Sequence, residues 1–254
     1  QYQIDLPAIK KMMQVIKNKG NLALFPTGRL SSCGQGFSTT MALIKLVKKL
    51  NVPVYYCNLR GAYLSAPKWA KYRRKGRVKL DYFLLFHPDH FATLPEKQML
   101  EMINELLDYN EYEAQTKEPI AFKGKALAEN LEKVLFWCPH CHHEFTLQTK
   151  EDAISCQHCQ LTLTIDAFGF FNENPYASHP LDWFQQQENY VQSLIQQKKH
   201  RLVSKVRVKS SNGTQMLVRG DGQLSLLEDA LLFEGTFDEL PHTFSIPVHQ
   251  LPPL

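Results

Sequence analysis

Four of the six cysteines fall into two C-x-x-C pairs, Cys138-Pro-His-Cys141 and Cys156-Gln-His-Cys159, with fourteen residues between them. That spacing lets two facing turns bring four thiolates onto one tetrahedral ion, the ligand pattern of a zinc ribbon. Two disulfides are the competing use of the same residues, but nothing else in the chain speaks for an oxidising compartment, and Cys33 and Cys57 lie far away in sequence. A thioredoxin-like redox site would need one such pair, not two. His140, His142, His143 and His158 crowd the same turns and could in principle replace a thiolate. With four cysteines at hand the site is already closed, and they read as exposed neighbours. A closed four-thiolate site keeps no position for water or substrate, so the expected cofactor is a structural Zn2+.

A second group of residues suits anion binding. The loop Pro26 to Phe37 contains Gly28, Arg29, Ser31 and Ser32. A glycine frees backbone N–H groups, the hydroxyls donate, and a guanidinium can grip two phosphate oxygens at once. Arg60, just after the next apolar run, could serve likewise. Charge points the same way. The overall formal charge is +4, yet residues 1 to 80 hold sixteen Lys and Arg against one acid, Asp5. Such an excess favours phosphates, whether of a nucleic acid or of a lipid surface. Its densest part is Lys68, Lys71, Arg73, Arg74, Lys75, Arg77 and Lys79. A solvated, self-repelling face is the plainer alternative for any one run.

The elements that must position these groups can be read from periodicity. Asp5 and Pro7 open a helix over about 6–19, with Leu6, Ile9, Met12, Met13 and Ile16 on one face and Gly20 at its end. Asn21 to Phe25 reads as a short strand, Ser38 to Leu50 as a second helix, and Val52 to Leu59 as a buried strand. This alternation predicts an α/β sheet with the Pro26 to Phe37 loop at a strand's carboxyl end. Val78, Leu80, Tyr82, Leu84 and Phe86 alternate as a further strand. Pro95 opens a helix, Tyr112 to Lys125 reads as a link, and Ala126 to Phe136 as a short helix. Leu181 to Lys199 is a Gln-rich helix, and from Leu202 the chain turns β-rich, with Asn212-Gly213 and Asp221-Gly222 as hairpin signals. The expected domains are an α/β portion over 1–136, a zinc ribbon over 137–172, and a helix plus β-rich region over 173–254. No stretch of eighteen apolar residues could span a bilayer, and no export signal follows Gln1.

Leu24-Phe-Pro-Thr-Gly-Arg29, with Ser31 and Ser32 behind it, resembles the third sequence block of the glycerolipid (1-acylglycerol-3-phosphate) acyltransferases, usually Phe-Pro-Glu-Gly-Thr-Arg-Ser. Val52-Pro-Val-Tyr-Tyr56 is similar to the family's next block. Leu59-Arg-Gly-Ala-Tyr-Leu-Ser-Ala-Pro-Lys-Trp69 and Ala128-Glu-Asn-Leu-Glu132 resemble a bacterial branch that carries a zinc ribbon after the acyltransferase domain. The resemblance covers about residues 1–170. It implies transfer of a fatty acyl group from an acyl carrier protein or coenzyme A thioester to lysophosphatidate, with Gly28 and Arg29 holding the glycerol phosphate. It also implies a peripheral position on the cytoplasmic face of the inner membrane, against an anionic lipid surface.

In that family a His oriented by an Asp five positions on is the general base. None of the ten histidines here has an Asp at that distance, Thr27 stands at the block's Glu, and Arg29 comes one position early. No catalytic residue is therefore assigned within the chain. The expectation is a sequence cut short at both ends, its catalytic block upstream of Gln1, and inactive by itself. A degenerate, non-catalytic relative is the alternative ancestry. In function the competing readings are a nucleic-acid-binding module and a scaffold whose ribbon and β-rich tail dock a partner. Acidic Glu144, Glu151 and Asp152 around the ribbon weigh against nucleic acid, so none is expected as a partner.

Overall fold

The computed structural model describes residues 6–199, 201–211 and 213–251. Asp5 as a helix cap, Asn212 of the first hairpin signal and the terminal 252–254 lie outside the described residues. The described residues divide into two units, a larger one that ends at Gln187 and a smaller one that begins at Glu188. The expected boundary at 136/137 falls inside the larger unit.

The larger unit begins with α1 (Leu6–Lys17), amphipathic and without a buried residue. Helix α2 (Met41–Leu50) stops where Asn51 turns left-handed and its N–H bonds back to the Val47 carbonyl at 3.1 Å. Strand β1 (Val54–Arg60) follows, then the short α3 (Ala62–Ser65), β2 (Lys79–Phe86), the single turn α4 (His90–Thr93), α5 (Glu96–Leu107) and α6 (Glu111–Lys117). Ile44 and Val47 of α2 pack on Met99 and Ile103 of α5, together with Phe86 and Phe91. Each such side chain fully removed from water contributes about 1.5–3 kcal/mol.

The mixture of helices and sheets stands, but its arrangement departs from expectation. Residues 21–25 have no regular secondary structure and pair with no strand among the described residues; Leu24 and Phe25 are exposed. β1 and β2 pair antiparallel, from Val54 opposite Phe86 to Arg60 opposite Lys79. The Pro26 to Phe37 loop therefore does not sit at the carboxyl end of a parallel strand. The supposed link Tyr112 to Lys125 begins as helix α6, because the Asn110 side chain accepts the Tyr112 and Glu113 N–H groups at 2.9 and 3.2 Å. The Asn-x-x-Glu spacing of Asn110 and Glu113 was the sequence signal for that cap. Ala126 to Phe136 holds only a single 3-10 turn, Leu131–Lys133. Ala126 and Asn130 adopt left-handed backbone at φ 54° and 77°, which no α-helix accommodates.

Three short strands follow, β3 (Leu147–Lys150), β4 (Ala153–Cys156) and β5 (Thr162–Thr164), antiparallel in that order. Their inward residues Leu147, Ile154 and Leu163 share one core with Trp69, Leu127, Leu131, Leu135 and Trp183. The ribbon is thus built onto the chain preceding it. Trp183 lies on α7 (Pro180–Gln196).

The smaller unit is a four-stranded antiparallel meander, β6 (Leu202–Ser211), β7 (Met216–Leu226), β8 (Ala230–Phe237) and β9 (Leu240–Pro247). Phe233 is its buried centre and stacks on Phe244 at 5.1 Å. Asp221-Gly222 is not a turn. It lies inside β7, where a Cβ at Gly222 would stand 2.6 Å from the Glu234 carbonyl oxygen of β8. Glycine serves close strand approach there. The tight hairpin is Asp238-Glu239, both left-handed at φ 50° and 65°, between the paired ends Phe237 and Leu240.

Candidate metal centre

Both C-x-x-C pairs fold into the same loop. The Cys138 carbonyl accepts the His142 N–H at 2.9 Å, and the Cys138 N–H donates to the His143 carbonyl at 2.9 Å. One pair later, the Cys156 carbonyl accepts from Gln160 and the Cys156 N–H donates to Leu161, each at 2.9 Å. His142 and Gln160 close the two loops in left-handed backbone, φ 61° and 65°. The repeated hydrogen bonds turn each pair of Sγ atoms toward the other.

The result is a compact cluster. All four Sγ atoms lie within 4.8 Å of one another. Cys138 Sγ is 3.7 Å from Cys159 Sγ, and Cys141 Sγ is 3.7 Å from Cys156 Sγ, so the short approaches run between the two loops. Sulfurs placed tetrahedrally about 2.3 Å from a central ion stand about 3.8 Å apart, whereas a disulfide needs about 2.05 Å. All six cysteines are free thiols. The four can hold a metal ion. Cys138 and Cys156 are buried, Cys141 and Cys159 half-buried.

Electrostatics within the cluster is uneven. Burial pushes the Cys156 thiol up, but the Thr146 hydroxyl at 3.3 Å and the backbone N–H groups of Cys159 and His158 outweigh it and bring it down to about 6. Burial holds Cys138 and Cys159 above the ordinary thiol range. Four thiols in so small a volume cannot all ionise unless a cation compensates them, so metal binding and proton release are coupled.

Support comes from α7. Gln187 is buried and its Oε1 accepts the N–H groups of Phe136 and Trp137 at 2.7 and 3.1 Å, while Nε2 donates to the Val134 carbonyl at 3.1 Å. Trp183 Nε1 donates to the Trp137 carbonyl at 2.8 Å. These four bonds fix the strand that enters the first loop. Sequence reading passed over Gln187, because a single Gln in a Gln-rich helix carries no local mark of such a clamp. Of the histidines, His142 stacks on Trp137 and His140 leans on Tyr176. His143 and His158 stack on each other at 3.5 Å.

The anion-loop residues are placed as follows. Gly28 is left-handed at φ 65° and its N–H closes a turn onto the Phe25 carbonyl at 3.1 Å. The Arg29 guanidinium lies 3.6 Å over the Phe37 ring. Ser31 Oγ accepts the Gly34 N–H at 2.7 Å, and the Ser32 carbonyl accepts the Tyr63 hydroxyl at 3.3 Å. Arg60 stands at the end of β1 and is paired, with Lys79, to Glu118 at the end of α6. The structure therefore gathers 28–32 in one loop and anchors Arg60 to α6. The basic run is also less uniform than its sequence. Arg74 is buried and donates to the Leu127 carbonyl at 2.6 Å, and Lys71 pairs with Glu129. Among the described residues no helix is long and apolar enough to cross a membrane.

No protein family, curated protein or solved structure matches the chain.

Proposed function

We propose that Cys138, Cys141, Cys156 and Cys159 hold one structural Zn2+, and that the ribbon so formed stabilises part of a phospholipid-synthesis acyltransferase that binds lysophosphatidate at the Gly28–Ser32 loop. The observation that carries the zinc reading is the pair of 3.7 Å sulfur separations between loops of identical hydrogen-bond pattern. Soft thiolates in tetrahedral array favour zinc over hard divalent ions, and a full set of four leaves it structural.

The acyltransferase reading rests on the blocks Leu24–Arg29 and Val52–Tyr56, and the local geometry is compatible with it. The Arg29 guanidinium carbon lies 3.6 Å from the Phe37 ring centroid, which holds the side chain in the same loop as Ser31 and Ser32. Ser31 accepts one N–H and keeps its own hydroxyl proton to donate. Arg60 would have to leave Glu118 to take part, and Arg29 is the contact that the resembled block itself supplies. An anionic membrane surface is the matching environment. One face of the β1–β2 ladder exposes Tyr55, Leu59, Leu80, Tyr82 and Leu84, and exposed Arg73, Lys75 and Arg77 precede β2.

The test is titration of the 254-residue chain with lysophosphatidate and with the uncharged monoacylglycerol. Binding of the first alone, weakened at least tenfold in Arg29→Ala with zinc content unchanged, supports the reading. Equal affinity for both lipids, or tighter binding of single-stranded nucleic acid at the same salt, overturns it.

A further inference from the structure

The ribbon carries a second constellation of ligand atoms. Cys141, His143 and His158 place one donor each within 4.8 Å of one another, on the outer side of the loops where both imidazoles are exposed and Cys141 is half-buried. The two rings come from different loops, yet stack with centroids 3.5 Å apart. His143 Nδ1 lies 3.1 Å from the Cys141 carbonyl oxygen. A carbonyl can only accept, so this contact assigns Nδ1 as the donor and leaves Nε2 as the ring atom that would face a metal. Backbone orientation of one ring nitrogen to present the other is the usual support of a metal-binding histidine.

We propose that Cys141, His143 and His158 form a second, solvent-facing site for a borderline divalent cation such as Zn2+, joined to the first by the Cys141 thiolate. The inference rests on the four-thiolate centre being a zinc site. A thiolate bound to one ion retains further lone pairs, and Cys141 presents its sulfur between the buried cluster and the surface. One sulfur and two imidazole nitrogens form a soft-to-borderline set suited to zinc rather than calcium or magnesium. Three protein donors leave the fourth tetrahedral position open, so this ion, unlike the inner one, can exchange and can accept water or a further donor. Stacked rings 3.5 Å apart cannot both aim an in-plane lone pair at one ion, so filling the site turns these exposed rings out of their stack, which the surface position allows without unfolding the ribbon.

Equilibrium dialysis of the full chain against Zn2+, with bound metal quantified per protein, tests the proposal. The wild type should reach two equivalents when free Zn2+ is ten times the concentration that saturates the first. His143→Ala/His158→Ala should stop at one, and His140→Ala, which removes a nearby exposed imidazole outside the group, should still reach two. Thermal melting in parallel should show the double variant unchanged at one equivalent. A wild type that saturates at one equivalent refutes the second site and leaves the first intact. Two equivalents in both the wild type and the double variant mark adventitious binding and refute it equally. A wild type that binds none refutes the four-thiolate centre and this inference with it.

Discussion

His142 and Gln160 are equivalent residues in the two halves of the four-cysteine cluster: each follows the first cysteine of its pair by four positions, adopts left-handed backbone, and donates its N–H to that cysteine's carbonyl at 2.9 Å. Left-handed backbone costs an L-residue about 1–2 kcal/mol, and glycine escapes most of that cost. Gln160→Gly should therefore be neutral or stabilising by up to about 1 kcal/mol, and Gln160→Val destabilising by about 1–2 kcal/mol. Chemical denaturation of the two variants decides; a Val variant as stable as the Gly variant contradicts the assigned loop geometry.

The clamp on the first loop predicts a larger effect. Gln187→Ala leaves two buried N–H donors and a carbonyl without their side-chain partner, at about 1–3 kcal/mol for each unsatisfied group. A total loss of about 3 kcal/mol is expected, together with faster removal of the metal by a chelator. Unchanged chelator kinetics would show that α7 does not hold the loop.

How much of this was open to sequence reading depends on the range of the interactions. The cysteine loops are local: a C-x-x-C pair and its turn span six residues, so spacing alone revealed which four thiols come together. The β-rich tail was visible from composition. One turn signal held, since Gly213, left-handed at φ 92°, lies between the paired ends Ser211 of β6 and Met216 of β7; the other did not, because Gly222 serves the approach of β8 rather than a bend, and the β8–β9 turn uses Asp238-Glu239. Asn21 to Phe25 has the composition of a strand, but a strand needs a partner that periodicity cannot supply. Arg74 is the clearest case. It sits in a basic run and looks like surface, yet its guanidinium is buried beside Trp69 and bound to the Leu127 carbonyl.

That difference yields a prediction about the basic segment. Arg73→Glu/Arg77→Glu alters exposed positions only, so the fold should survive and binding to anionic vesicles should fall, with a salt dependence set by a screening length of about 8 Å at physiological ionic strength. Arg74→Glu places an unpaired carboxylate in the core and should unfold the larger unit. Vesicle co-sedimentation combined with circular dichroism separates the two; identical behaviour of both variants would contradict the placement of Arg74.

Glu111 supplies a pH signature. It is buried, accepts the Gly61 N–H at 2.8 Å and the Tyr109 hydroxyl at 3.2 Å, and burial raises its carboxyl above the ordinary value despite those bonds. The folded state therefore binds this proton more tightly than the unfolded one, and stability declines as pH rises from the ordinary carboxylate value through the raised one. Glu111→Gln keeps an acceptor for both donors without the charge. Its stability relative to wild type should rise across that window and stay level above it. A difference between the two that is constant with pH would contradict the assignment.

The most direct test of the account is metal content. Mass spectrometry of freshly purified protein should find at least one equivalent of zinc. Cys156→Ser, which removes a ligand shared by the cluster and the β4 core, should lose that zinc and melt at a much lower temperature, since structural zinc in small modules contributes about 10–16 kcal/mol of apparent binding energy. Less than half an equivalent of zinc in the wild type, or a Cys156→Ser variant that melts at the wild-type temperature, would contradict it.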